Sequence, residues 1–206
     1  MVNRSRGMKS IYRKMFERAK PFLRTRKNLI HTKIALRYAV RLLKEVKGDE
    51  EVVIPAVLLH DVGWSAVPEH LQLNAFGPNR SNPQAARVHE VEGAKTAKKI
   101  LEKLRYPSEK VNEICQIIRG HDSRKRPISR SDRIVKDADK LFRYSRRGVA
   151  IDLERFHAPR GDYLHYLENC VEKWFFLSVS RQLASQELAR RRTESQPENQ
   201  DGQKRR

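Results

Sequence analysis

Five places in this chain put metal-capable side chains where apolar ones are expected: His31, His60-Asp61, His89, His121 and Asp139. In "VVIPAVLLHDVGWSAVP" an apolar run from Val52 to Leu59 ends in an imidazole and a carboxylate. Both are costly to bury without hydrogen bonds, a charge partner or a metal. A lone inward histidine is ordinarily a core residue with a satisfied hydrogen bond. Five such places ask for a common cause. Of the chain's 7 histidines, the remaining three, His70, His157 and His165, fall in loops or near helix starts. Imidazole with carboxylate suits Fe, Mn, Zn, Ni or Co. A cation would pair the Asp61 charge and coordinate the imidazoles.

The elements that must carry these groups read as helices. Ile30, Ile34, Ala35, Tyr38, Ala39, Leu42, Leu43 and Val46 recur at three- and four-residue steps, predicting a helix over 29–47 with His31 on its apolar side. Residues 51–62 are apolar all round, which alone separates neither a buried helix nor a strand. With no second strand to pair with, they read as a helix, with Pro55 in its first turn. Residues 63–86 read as a long loop, of the kind that is often functional. A helix over 87–104 carries His89 beside Gly93 and Ala97. Another over 108–121, with Ser108 as N-cap, brings His121 inward at its end. Ile134, Val135, Ala138, Leu141 and Phe142 define a helix over 132–145 that carries Asp139. Asp162 is placed to cap a long final helix reaching Ser178.

One domain is expected, 29–190, preceded by a basic arm or helix over 1–28 and followed by a disordered tail over 191–206. The arm suggests a short amphipathic helix over 9–24, broken near Pro21. The net charge of +19 is uneven, with ten Lys/Arg against one acid in the first 28 residues. Such a surplus fits a solvated surface, or attraction of a nucleotide, nucleic acid or acidic membrane surface. The arm supplies no motif residue and is expected to be dispensable for turnover of a small substrate. No stretch approaches the roughly 20 apolar residues of a membrane span. The N-terminus carries no signal-peptide h-region, so a cytoplasmic protein is expected. Cys115 and Cys170 sit far apart within helical patterns and form no framework.

The order of these residues resembles the HD-domain superfamily of metal-dependent phosphohydrolases, over roughly 29–145. "HDVGWSAVP" resembles its HD-x-G segment, "HEVEGAKTAKKIL" its His-x-x-x-Gly-Ala helix, and "ICQIIRGHD" and "IVKDADKLFRYS" its fourth and fifth motifs. The resemblance implies an all-α, HD-domain-like helical bundle. It implies that His31, His60, Asp61 and Asp139 hold one divalent metal, and that His89 and His121 hold a second with Asp61 bridging. Fe or Mn come first, with Mg, Ni, Co or Zn as alternatives. Asp139 is the ligand because the family's matching Asp stands just before "KL"-type residues; Asp137 is left a supporting or helix-capping role.

The implied reaction is attack of a metal-activated water on a phosphate ester or anhydride of a nucleotide-like substrate. Asp61 and Lys140 are the expected catalytic residues, and Lys140, Arg143, Arg80 and Arg87 the expected substrate contacts. The chain departs from several branches. No Gly-Tyr-Pro follows His121, Trp64 replaces a phosphate-contacting Lys or a catalytic Glu, and "HDVGWS" replaces "HDxxED". Two other readings remain: a di-iron oxygenase of the same superfamily, and a non-catalytic regulatory or nucleic-acid-binding module reached through the basic arm. The oligomeric state has no signature in the sequence.

Overall fold

The computed structural model describes residues 8–78 and 81–194, and among them every regular element is helical. Helix α1 (Ser10–Ala19) runs into a 3₁₀ turn at Lys20–Leu23 that contains Pro21. Then come α2 (Asn28–Glu45) and α3 (Glu50–Leu59). A 3₁₀ turn at Val62–Ala66, the short α4 (Glu69–Gln72) and another turn at Leu73–Ala75 occupy the stretch expected as loop. α5 (Pro83–Lys103), α6 (Ser108–Ile118) and α7 (Arg130–Leu141) follow. α8 (Arg146–Phe156), α9 (Arg160–Trp174) and α10 (Ser178–Thr193) complete the chain.

α3 is the centre of the bundle because it has no polar face after its first turn. Val52 through Leu59 are all buried, against α1, α2, α6 and α7. Asp49 caps its start, accepting from the Glu51 amide at 2.8 Å. Pro55 lies inside the helix rather than in its first turn. Proline cannot donate to the carbonyl four residues back, that of Glu51. The Tyr106 hydroxyl donates to that carbonyl instead, at 2.7 Å.

Other boundaries are set by caps. Asn82 accepts from the Ala85 amide and starts α5 with Pro83 in the first turn. Ser129 caps α7, which begins two residues earlier than expected. Ser145 caps α8, an element the periodicity did not single out. Ser108 is the first residue of α6, not its cap, and Asp162 sits in the first turn of α9. The expected single final helix is two helices. Asp137 of α7 accepts the amides of Phe176 and Leu177, both at 3.0 Å, and so caps α10 from another element.

The segment read as a basic arm packs into the same core, with Tyr12, Met15, Phe16, Ala19 and Leu23 buried. Of the expected tail, residues 191–193 belong to α10 and the rest beyond Glu194 lies outside the described residues. No helix among the described residues is long and apolar enough to cross a membrane.

Candidate metal centre

Four helix ends converge at one side of α3. His31 comes from the first turns of α2, and His60 and Asp61 from the end of α3. His89 lies on α5, His121 just past α6, and Asp139 in the last turn of α7. His60, His89 and His121 are each 2 % exposed or less. The Nε2 atoms of His31 and His60 approach to 2.9 Å, and those of His89 and His121 to 3.3 Å. His31 Nε2 lies 2.9 Å from Asp139 Oδ1, and His60 Nε2 lies 3.5 Å from both Asp61 and Asp139. Asp61 Oδ1 is 3.9 Å from His121 Nε2.

The orientation of the rings decides what this cluster is. His60 Nδ1 donates to the Val57 carbonyl and His121 Nδ1 to the Ile118 carbonyl, both at 2.8 Å. With Nδ1 carrying the hydrogen, Nε2 of each neutral ring presents a bare lone pair. Lone pairs therefore face lone pairs and carboxylate oxygens, an arrangement that a bound cation resolves. Two groups of ligand atoms meet the requirement, His31-His60-Asp61 and Asp61-His89-His121, and they share Asp61. The residues present fit a divalent metal of mixed N/O preference.

Without a cation the electrostatics are strongly perturbed. Burial alone would lower His60, but Asp61 and Asp139 outweigh it and raise its pKa to about 9. A metal must displace that proton, so loading weakens as pH falls. Burial and the neighbouring His121 lower His89 to about 4, keeping it neutral. Burial would raise Asp61, yet His60, His31 and Arg26 hold it well below the usual carboxylate range. Lys140 and the histidines do the same for Asp139, again against burial.

Sequence alone gives several neighbours no part in the centre, Trp64 standing out only as a departure from the family pattern. Asp122 Oδ2 lies 3.6 Å from His89 Nε2 and 3.7 Å from His121 Nε2. Its only signal is that it follows His121 as Asp61 follows His60. Trp64 donates Nε1–H to Asp61 Oδ1 at 3.0 Å and stacks on His89 with ring centres 3.9 Å apart. Arg26, from the segment expected to stand clear of the chemistry, lines the same cleft, as does Arg155.

Of the expected substrate contacts, Lys140 and Arg143 line the cleft but are already engaged. Lys140 Nζ bonds Asp122 at 2.5 Å and Asp139 at 2.9 Å, and Arg143 bonds the buried Asp152 at 2.6 Å. Arg87 is not brought to the cleft. It faces a separate surface recess, bonded to Glu90 at 2.9 Å and to the Arg119 carbonyl. Arg80 lies outside the described residues.

The turn carrying His121 and Asp122 is fastened from both sides. Glu90 accepts the amides of Asp122 and Ser123 at 2.9 and 2.8 Å. Lys136, 3 % exposed, donates to the carbonyls of Gly120, His121 and Arg124 at 2.7, 2.7 and 2.9 Å. Lys136→Met keeps the length of the side chain but removes all three donors. Denaturant unfolding should show a loss of about 3 kcal/mol, in the range for buried acceptors left unpaired. Metal content should fall with it; an unchanged midpoint would show that the turn holds itself.

The profile of the HD domain family matches residues 28–144. Among solved structures, the crystal structure of a predicted HD superfamily hydrolase from an uncultured Thermotogales bacterium superposes with a TM-score of 0.58. That match has 20 % sequence identity and covers 86 % of this chain and 84 % of the other, a likeness of fold. Among curated proteins, none matches this chain.

Proposed function

The chain belongs to the HD domain family, and from that premise we propose that it is a metal-dependent phosphohydrolase acting on a phosphate ester or anhydride of a nucleotide-like substrate. One observation carries the reading: imidazole nitrogens and carboxylate oxygens converge within ligand distance of one another in a cleft also lined by cations. His31, His60, Asp61 and Asp139 would hold one divalent ion, and Asp61, His89 and His121 a second. Such ions supply Lewis acidity and a water of lowered pKa.

The chain's own groups do the rest. His60 and His121 are locked by their Nδ1 bonds, so their lone pairs stay aimed inward. Trp64 covers the His89 ring and excludes water from that side. Lys140, Arg143 and Arg155 bring positive charge to the cleft, which would stabilise the negative charge of phosphoryl oxygens. Next to the cleft lies a groove of about 500 Å³ that shares Lys140 and Arg143 and adds Tyr166, Trp174 and Phe176. Flat aromatic walls beside cations suit a base and its phosphate.

The test is metal analysis of protein purified without added metal, then assay of phosphate esters and anhydrides with and without oxygen. Turnover that persists without oxygen supports hydrolysis. Strict oxygen dependence would overturn it in favour of the oxygenase reading.

Lys140→Ala should lower catalytic efficiency by about 10²-fold, the scale for one lost electrostatic stabiliser. Lys140 is also the leading charge that offsets burial at both Asp122 and Asp139. Without it both carboxyls rise, so metal should be lost at a higher pH than in the wild type. Kinetics and metal content measured across pH check both effects; an unmoved acid edge would reduce Lys140 to a surface charge.

A further inference from the structure

Arg26 is the one cation of this cleft that no carboxylate of the described residues pairs. Lys140 is held by Asp122 and Asp139, and Arg143 and Arg155 by Asp152. The Arg26 guanidinium instead lies 3.8 Å from the Trp64 ring centre and 3.6 Å from that of Phe76. Trp64 already stacks on His89 at 3.9 Å. Two groups that near one ring centre cannot share a face, so His89, Trp64 and Arg26 form a single column, with the Phe76 ring tilted 61° to that of Trp64 on the far side of the guanidinium. The column places the guanidinium in a small cavity of about 30 Å³ that His31, Asp61 and Asp139 also line.

Donors buried beside that cavity lack acceptors. Nε and Nη1 of Arg26 and Nδ2 of Asn28 are buried and have no hydrogen-bond partner. Asn28 is 2 % exposed. A buried donor left unpaired costs about 1–3 kcal/mol, so a set of them beside one cavity points to an acceptor the chain does not supply.

The backbone is built to hold them there. Arg26 and Lys27 both adopt left-handed φ, 55° and 57°. Non-glycine residues occupy that region only when their surroundings over-determine it. The anchor is Arg155, whose Nη2 donates to the Arg26 carbonyl at 2.6 Å and whose Nη1 bonds Asp152 at 2.9 Å. Asp152 is 0 % exposed and also takes the Tyr163 hydroxyl at 2.5 Å. Burial lowers the pKa of Arg26 to about 9, which leaves it charged at neutral pH.

We propose that Arg26 and Asn28 form an oxyanion pocket that takes the phosphoryl group of the substrate. A guanidinium with two unpaired N–H groups and an amide N–H suits phosphoryl oxygens better than any neutral acceptor. The small cavity adjoins the metal ligands, and the wider groove beside it has room for the organic part of a ligand. Arg155 and Asp152 are positioning residues for the pocket. The proposal rests on the phosphohydrolase reading for its substrate, but not for its binding chemistry.

The test is calorimetric titration of the manganese-loaded protein with inorganic phosphate. Arg26→Gln should weaken binding about tenfold, equivalent to about 1.4 kcal/mol. Asn28→Ala should weaken it about threefold, the loss of one modest hydrogen bond. Manganese content should be unchanged in both, because neither residue is a ligand. Unchanged phosphate affinity in Arg26→Gln overturns the pocket; if that variant does not fold, unchanged affinity in Asn28→Ala does so. Absence of phosphate binding by the wild type at millimolar concentration also overturns it. Arg26-dependent phosphate binding in a protein that hydrolyses no phosphate ester or anhydride would keep the pocket and remove the activity reading.

Discussion

Alanine at Asp61 should leave the protein without metal and without measurable turnover. Asp61 is the residue common to both ligand groups, so its removal takes an anionic donor from each at once. The loss should exceed about 10³-fold, beyond the 10–100-fold that follows removal of an outer partner. The damage also spreads through Trp64, whose Nε1–H loses its acceptor. That ring touches both His89 and Arg26, so the column against the centre loosens. Asp61→Asn separates charge from shape, since an amide oxygen can still accept from Trp64. It should fold normally and still lose most of its metal. In that variant His60 loses the charge that chiefly raises it to about 9, so its imidazole turns neutral at a lower pH. Elemental analysis of both variants decides; full metal content in either would remove Asp61 from the shared position.

The ligand set was legible because each member breaks a pattern. His60 and Asp61 end an apolar run, and His31, His89, His121 and Asp139 interrupt or close apolar stripes. Arg26 and Asp122 break nothing. Arg26 stands among ten basic residues in the first 28, where composition gives no reason to choose one. Its burial depends on a left-handed turn anchored by Arg155, which lies 129 positions away. Asp122 opens a polar loop, and its place beside the histidines depends on the distant Glu90, Lys136 and Lys140, which bond its turn and its carboxylate.

The same limit applies to the fold. Periodicity located α2, α5, α6 and α7, since each presents a continuous apolar face to the core, whereas α3, apolar all round, reads as a helix only because no second strand offers itself for pairing. It could not divide α9 from α10, because the cap that starts α10 is Asp137, 39 and 40 positions earlier. Arg87 shows the converse error. A cation next to a motif histidine looked available for substrate, but Glu90 and the Arg119 carbonyl claim it.

Gly63→Ala should be among the most damaging single substitutions in the chain, and Gly93→Ala should be harmless. The two glycines face each other where the 3₁₀ turn Val62–Ala66 rests on α5, and neither has a positive φ. The effect is therefore one of space alone. A Cβ on Gly63 would lie 1.9 Å from the His89 carbonyl oxygen and 2.4 Å from the Gly93 nitrogen. Both obstacles are backbone of a long helix and cannot rotate aside. Overpacking of flexible side chains costs about 1–3 kcal/mol, and a backbone clash on a rigid element belongs at or above the top of that range. For a chain of this size that corresponds to a fall in Tm of about 6–12 °C. The turn must lift from α5, carrying Asp61 and Trp64 away from His89, so metal content should fall as well. A Cβ on Gly93 meets nothing nearer than 3.4 Å, an ordinary contact. There the substitution removes a mid-helix glycine, which favours the helix by up to about 1 kcal/mol. One chemical change at two facing positions should thus move stability in opposite directions. Thermal unfolding of both variants measures it, and a Gly63→Ala protein as stable and as metal-rich as the wild type would mean that the turn does not rest on α5 through its backbone.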